Sequence, residues 1–338
     1  MPDSSPASDI AVVIVSYNSG RYLGKCLESV AAQTLRAHRV IVVDNASTDD
    51  SAEICGRFPF VELHRAGGNL GFAKGNNVAV AKAPDSRWIA LLNPDAFAAP
   101  DWLEKLSEAT RQHPEVEVFA CRLISAGDHK VLDGAGDAYG TSGAAWPRYQ
   151  GAAVGADGEQ PCEVFGGCGA AVMYRRDAFV AVGGFDESYF CYYEDVDLAF
   201  RLLLRGHRCL YLPHAAAYHV GSGITGAGSD FSIYHVHRNV VWTFVKNMPG
   251  RYFWLCLPRH FLMNLVSVFL FASRGRLRVI ARAKWHALLG LPAVWRQRRR
   301  VQGERRTSPA EAMVHIEKIR ILRSIFRRIG LRFRAPPD

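Results

Sequence analysis

Three separated stretches of this 338-residue chain carry residue types whose spacing suits work on a charged substrate. The first is Ala90-Leu91-Leu92-Asn93-Pro94-Asp95, an apolar run that stops at Asn and Pro and ends in a carboxylate. Such runs read as buried strands, and open parallel sheets bind ligands at the carboxyl ends of their strands. Asp95 would then face a cleft and could hold a hard divalent cation, which takes its other ligands from waters and substrate phosphates. An ordinary turn closed by the Asp side chain is the competing reading. The second stretch, Tyr192-Tyr193-Glu194-Asp195-Val196-Asp197, opens a helix with acids that could take a proton from a hydroxyl or could simply complement the helix dipole. The third leaves a strand with His214 and His219, and a ligand role for either needs acidic company.

The elements that must position these groups alternate. Ile10 to Ser16 is a β-branched run of the kind buried on both faces of a parallel sheet. Leu23, Leu27, Val30 and Ala31 then recur at helical spacing, and Val40 to Val43 predicts a second strand stopped by Asp44-Asn45-Ala46-Ser47-Thr48-Asp49. A helix over 51–58, a strand over 61–64, a Gly-rich turn from Asn69 leading into a helix to Lys82, and a strand over 88–92 complete an open α/β pattern. A further helix is expected over 102–112 and a strand over 207–212. Residues 125–160, rich in Gly and Ala, read as a loop-rich insertion near an active site. Gly166 to Ala171 would let backbone pass close to something bulky. In the acidic helix, Leu198 and Leu202 mark an apolar stripe and Arg201 and Arg205 a basic one. Ser16 to Gly20 lacks the Gly-x-Gly-x-x-Gly of dinucleotide binding, and Lys74-Gly75 reverses the order a P-loop requires.

Composition is globular, with 49% hydrophobic and 22% charged residues and a net charge of +9. The positive charge sits at one end: residues 251–338 hold 20 Lys and Arg against 4 Asp and Glu, leaving a faintly acidic body. A basic tail implies an anionic partner. Tyr252 to Phe271 is apolar and aromatic but interrupted by Pro258, Arg259 and His260, so it suits a membrane interface better than a span, with Arg274, Arg276, Arg278, Arg282 and Lys284 on lipid phosphates. A buried helix followed by a solvated basic one is the alternative. The tail shows no nucleic-acid motif, so no nucleic-acid partner is expected. A basic amphipathic end helix is expected over 320–334. Eight scattered cysteines without a Cys-x-x-Cys pair signal neither zinc nor disulfides, and the start carries no signal-peptide pattern, which makes a reduced cytoplasmic setting the expectation.

Taken together and in order, Val15-Ser16-Tyr17-Asn18, Asp44 to Asp49, Asn69-Leu70-Gly71-Phe72, Asn93-Pro94-Asp95, Gly183-Gly184-Phe185-Asp186, Glu194 to Leu198 and His219 resemble glycosyltransferase family 2, with a closer likeness to its bacterial rhamnosyltransferase branch. The resemblance implies a GT-A type open mixed sheet flanked by helices, with a Rossmann-like nucleotide-binding half over about 10–97. An acceptor and catalytic half would follow to about 232, after a disordered 1–9 and before a helical, membrane-associating extension over 233–338. It implies an inverting, metal-assisted transfer of a hexosyl or deoxyhexosyl group, rhamnose among them, from a dTDP- or UDP-linked donor. The acceptor would be a glycan or a polyprenyl-linked molecule at the inner membrane face, in cell-surface polysaccharide synthesis.

The resemblance also distributes roles. Asp44 would accept a hydrogen bond from the imide of uracil or thymine, Ser16, Tyr17 and Asn18 would lie along the nucleoside, and Asn69 and Lys74 would close over the nucleotide. Asp95 and His219 would hold Mg²⁺ or Mn²⁺. Asn93 stands where the family's metal motif has a leading Asp, and a neutral amide does not offset charge, so the cation is alternatively delivered with the diphosphate. Asp195 would be the catalytic base, with Glu194 orienting it or contacting the acceptor. Cys168, in small apolar surroundings, is expected to pack rather than react. The rivals are a nucleotidyltransferase, which would release pyrophosphate, and a non-catalytic scaffold binding glycan or membrane.

Overall fold

The computed structural model describes residues 8–221 and 228–317. The expected end helix over 320–334 and most of the N-terminal segment lie outside the described residues. The chain opens with β1 (Ile10–Ser16), α1 (Gly20–Ala31), β2 (Arg39–Asp44), α2 (Ser51–Gly56), β3 (Val61–Arg65), α3 (Gly71–Ala81) and β4 (Trp88–Leu92). These four strands are parallel in the order β3-β2-β1-β4. Their apolar runs reflect their place: every residue of β1 and β4 is buried between helices on both faces.

Next come β5 (Ala96–Ala98), α4 (Trp102–Gln112), β6 (Val118–Ser125), β7 (Leu132–Ala135), β8 (Asp137–Gly140), β9 (Ala145–Pro147), β10 (Cys162–Glu163) and β11 (Ala171–Arg175). The helix α5 (Arg176–Ala181), a 3₁₀ turn (Glu187–Tyr189), α6 (Glu194–Leu204) and β12 (Cys209–His219) follow. Antiparallel β11 joins β4 to β6, and β12 runs parallel to β6, so the sheet is mixed, in the order β10-β12-β6-β11-β4-β1-β2-β3. The insertion over 125–160 is less loop-rich than its composition suggests, because β8 and β9 form a small second sheet with β13 (Ile316–Glu317).

Three long helices close the structure: α7 (Asp230–Asn247), α8 (Tyr252–Ser273) and α9 (Leu277–Gly303), before the short α10 (Pro309–Val314). Residues Pro258 to His260 do not interrupt α8, which runs for 22 residues through the proline. Pro258 and Trp254, one turn apart, both lie on the exposed face, where water can replace the hydrogen bond that the proline removes. α7 is packed between α6 and α9, sharing an apolar core with α6, the second sheet and the inner faces of α8 and α9.

Of the two stripes expected on α6, the apolar one is buried as expected, with Leu198 and Leu202 in the core, and the basic one is revised. Arg201 is 6% exposed and bonds Asp197 at 2.8 Å and the carbonyls of Val182 and Gly184 at 2.7 Å each. It is an internal tie, and only Arg205 reaches solvent, where it pairs with Glu304. Periodicity places a residue on a helix face but does not say whether an ion pair is buried there.

Candidate active site

A cleft of about 290 Å³ opens where the sheet changes from its parallel half to its mixed half. Tyr17, Asn69, Asn93, Asp95, Glu194, Asp195 and His219 all line it. Residues more than a hundred positions apart therefore share one wall.

Pairing of strands explains how Asp95 meets His219. After β4 the chain turns at Asn93, whose N–H donates to the Ala170 carbonyl, and re-enters the sheet as β5 against β12. His219 is the register partner of Ala96, so it stands beside Asp95, and the Val220 N–H donates to the Asp95 carbonyl. The imidazole Nε2 lies 3.5 Å from Asp95 Oδ1, and Nδ1 lies 2.7 Å from Asp133 Oδ2. Asp133 is the extra residue of a β-bulge, since Leu123 and Ile124 of β6 face Gly134 and Leu132 of β7. Bulges re-aim side chains, and here the carboxylate is turned onto the ring. Burial opposes protonation of His219, but its hydrogen bonds to Asp133 and Asp95 raise the pKa to about 9.

A divalent cation fits this pair. Adjacent ligands around one ion, each bonded at about 2.1 Å, stand about 3 Å apart, near the observed nitrogen-to-oxygen separation. Asp133 on the far nitrogen is the outer partner that metal-binding histidines commonly have. Among the described residues there is no cluster of three or more His, Cys, Asp or Glu arranged for a metal. Two protein ligands suit an ion that draws the rest from diphosphate and water.

Asp195 is placed by a different device. The chain enters α6 through Phe190, Tyr192 and Tyr193, all with φ between 66° and 68°, a left-handed conformation costly for aromatic residues. The buried Asn239 of α7 holds that path by donating to the carbonyls of Tyr189, Cys191 and Tyr192 at 3.1, 3.0 and 2.7 Å. Arg238 adds bonds to the carbonyls of Ser188 and Tyr189. Asp195 then accepts from the N–H of Gly169 at 3.1 Å and of Val196 at 2.8 Å. A side chain at Gly169 would press within 3.0 Å of the Phe72 ring, which explains the small residue there.

Burial raises the Asp195 pKa, and backbone hydrogen bonds oppose the rise. Glu194 is raised well above the carboxylate range by burial and by Asp195, and its Oε2 has no hydrogen-bond partner among the described residues. Asp137, which lies near Asp195 and Asp133, is likewise raised well above that range by burial and by both neighbours. Cys168 is on the cleft wall, and its thiol is pushed well up by burial and by Asp137 and Asp195, so it stays protonated. That fits packing rather than nucleophilic attack.

The remaining candidates adjoin the cleft without lining it. Ser16 and Asp44 end β1 and β2 in register; the Ser16 hydroxyl bonds Ser19 at 2.6 Å, and Asp44 accepts from the Ser47 N–H. Asn18 ties the two strand exits together by accepting from the Thr48 N–H. Their neighbour Asn45 does line the cleft, donates to the Gly71 carbonyl and leaves its Oδ1 without a partner among the described residues. Gly71, with φ at 75°, could not carry a side chain, because a Cβ would stand 2.6 Å from Phe190. Lys74 is half exposed and 3.7 Å from Glu187.

A family model described as glycosyl transferase family 2 matches residues 11–183. The chain belongs to that family. Two bacterial relatives add detail. The N-acetylglucosaminyl-diphospho-decaprenol L-rhamnosyltransferase of Mycobacterium tuberculosis H37Rv is 32% identical over 239 residues, covering 64% of this chain and 78% of the relative. Rhamnosyltransferase WbbL of Escherichia coli K12 is 28% identical over 228 residues, covering 62% and 83%. Among solved structures, GalNAc-T7 with UDP, GalNAc and Mn²⁺ superposes with a TM-score of 0.58 at 16% identity, over 72% of this chain and 48% of that one. The fold is the GT-A type, and the protein is a glycosyltransferase resembling the rhamnosyltransferase branch.

Proposed function

We propose that this glycosyltransferase is an inverting enzyme that moves a sugar, rhamnose first among the candidates, from a dTDP- or UDP-linked donor to a polyprenyl-diphosphate-linked glycan at the inner face of the cell membrane. The observation that carries the reading is the shared cleft: the Asp95–His219 pair on one strand exit and the Asp195 carboxylate at the start of α6. As the acceptor oxygen bonds the anomeric carbon, the carbon–oxygen bond to the diphosphate breaks, its electron pair leaves with the nucleoside diphosphate, and Asp195 takes the hydroxyl proton. Asp95 and His219 would hold Mg²⁺ or Mn²⁺, which supplies charge neutralisation to the departing diphosphate. Ser16, Tyr17, Asn18, Asp44, Asn69, Asn93 and Lys74 are assigned to the donor, and Glu194 to orienting the base or the acceptor. Both rhamnosyltransferase relatives support the sugar, and the Mycobacterium tuberculosis one supports the lipid-linked acceptor.

Exposed apolar residues on both α8 and α9 support membrane attachment. Trp254, Phe261, Leu265 and Phe269 of α8, and Trp285, Leu288 and Leu289 of α9, are all exposed. Only 22% of the most apolar part of α8 is buried. Exposed apolar side chains on α8 and on the arginine-rich α9 suit helices lying in the interface. Phe269→Glu combined with Trp285→Glu should release the protein from vesicles containing phosphatidylglycerol; unchanged sedimentation would refute the attachment.

The activity is tested by incubating dTDP- and UDP-linked sugars with an N-acetylglucosaminyl polyprenyl diphosphate, with and without Mg²⁺ or Mn²⁺. Expected are nucleoside diphosphate release and a product whose anomeric configuration is inverted. Pyrophosphate release from a nucleoside triphosphate would favour nucleotidyl transfer instead.

A further inference from the structure

A second cavity, of about 460 Å³, lies between the first turns of α7 and the start of α9. Its walls include Phe231, Tyr234, Arg278 and Arg282. Phe231 also lines the catalytic cleft, so one side chain separates the two spaces. Arg278 and Arg282 are one helical turn apart on the same face of α9. Neither has a carboxylate partner among the described residues, and Arg282 instead stands 5.4 Å from the centre of the Tyr234 ring. The one acid in the wall, Asp230, is already taken by Arg276. His235 adds no charge, because burial and Arg238 keep it neutral, with a pKa lowered to about 4.

Arg278 and Arg282 are both exposed, and two neighbouring guanidinium groups with no carboxylate beside them are matched by a ligand with several acceptor oxygens. Position narrows the ligand. The cavity adjoins the cleft at Phe231, and its arginines belong to the same helix as the exposed Trp285 and Leu288. A molecule with its anionic group here would have its sugar side toward the cleft and its apolar side toward the bilayer.

We propose that Arg278 and Arg282 form the subsite for the diphosphate of a prenyl-linked acceptor, with Phe231 as the partition between that diphosphate and the reacting sugar. The proposal rests on the lipid-linked acceptor reading above. It assigns the acceptor's charge to a site apart from Asp95 and His219, which serve the donor's diphosphate.

The test compares the full-length protein with its Arg278→Ala/Arg282→Ala variant, using farnesyl diphosphate in phosphatidylcholine vesicles as the probe. The variant should bind the probe about tenfold or more weakly, the loss expected from charge-assisted hydrogen bonds, while UDP and dTDP bind as before. Equal probe affinity in the two proteins would overturn the subsite. So would a loss confined to binding of phosphatidylglycerol vesicles, which would make the arginines headgroup anchors. Failure of the unaltered protein to bind farnesyl diphosphate would overturn the lipid-linked acceptor reading itself. Inorganic pyrophosphate, titrated in parallel, distinguishes a site for any diphosphate from one that requires the prenyl chain: equal affinity for the two would overturn the prenyl assignment.

Discussion

The exit of β4 and the entry to α6 each deliver a carboxylate to the same cleft, and they do so by opposite means. Asp95 is set by the sheet: β4 stops, β5 pairs with β12, and register alone brings His219 beside it. Asp195 is set by a strained aromatic path at the start of α6, held in place by α7. One carboxylate is thus a product of local topology and the other of tertiary clamping. The helix α7, far from Asp195 in sequence, therefore takes part in placing it.

The largest contrast should appear when each carboxylate is removed. Asp195→Asn keeps the shape of the side chain but not its basicity, and should lower the turnover number by about 10² to 10⁴ with the donor dissociation constant unchanged. Asp95→Ala should instead weaken donor binding and abolish its dependence on Mg²⁺ or Mn²⁺. Turnover rates and calorimetric titration of the nucleoside diphosphate separate the two. If Asp195→Asn weakens donor binding as strongly as Asp95→Ala does, the division of labour is wrong.

Next in size is the clamp itself. Lys246, 2% exposed, bonds Asp186 at 2.6 Å and Asp197 at 2.7 Å, and Asp197 also accepts from Asn247, Tyr189 and Arg201. Lys246→Met leaves the partly buried Asp186 without its cation and the buried Asp197 with Arg201 alone, and should cost about 3–5 kcal/mol in urea unfolding. The pH dependence has a definite sign. Burial works against the Asp186 charge, but Lys246 and Ser188 hold its pKa well below the ordinary value. Its stabilising contribution is complete above the unfolded-state pKa of about 3.9 and is lost as pH falls from there toward the depressed native value. The Lys246→Met variant should show a shallower loss of stability below about pH 4.

Much of the first carboxylate's setting was legible in the sequence. β1, β4 and α4 fall where the apolar periodicity places them, because a strand buried on both faces is an unbroken apolar run and α4 has one apolar face. The second carboxylate's setting was not. Asn239, Thr243, Lys246 and Asn247 form a buried polar stripe at helical spacing, all at most 2% exposed. A composition reading sees only polar residues beside apolar ones and takes them for a solvated face. Asp133 was missed for another reason: strands β7 to β9 have three or four residues each, too short to show a period, and its role arises from a bulge that only pairing reveals. The signal in α7 was polar side chains spaced as a face within an otherwise buried stretch.

Asp133→Asn tests the first carboxylate's surroundings. The amide keeps the contact to the His219 Nδ1 side but loses the charge that fixes the ring's orientation. Loss of such an outer partner typically costs about 10- to 100-fold in metal affinity. The expected readout is a higher Mn²⁺ concentration for half-maximal activity, with the turnover at saturating metal little altered. If the metal requirement is unmoved, His219 is held by something other than the bulge.

The smallest effect expected, and the sharpest test of the contrast, is Asn239→Ala. Truncation removes three hydrogen bonds from the carbonyls of the left-handed path but touches no group that lines the cleft floor at Asp95. Each bond contributes about 1 kcal/mol net, and water entering the gap replaces part of that, so the path should relax toward less strained backbone and carry Asp195 away from the Gly169 N–H. Turnover should fall by about tenfold, with the donor dissociation constant and the metal requirement unchanged. A merely structural role would lower the unfolding midpoint and leave turnover of the folded fraction intact. Asn239→Asp, which can accept but not donate, should behave like the alanine variant, and restored turnover in that protein would show that the three carbonyl contacts are not what holds the base.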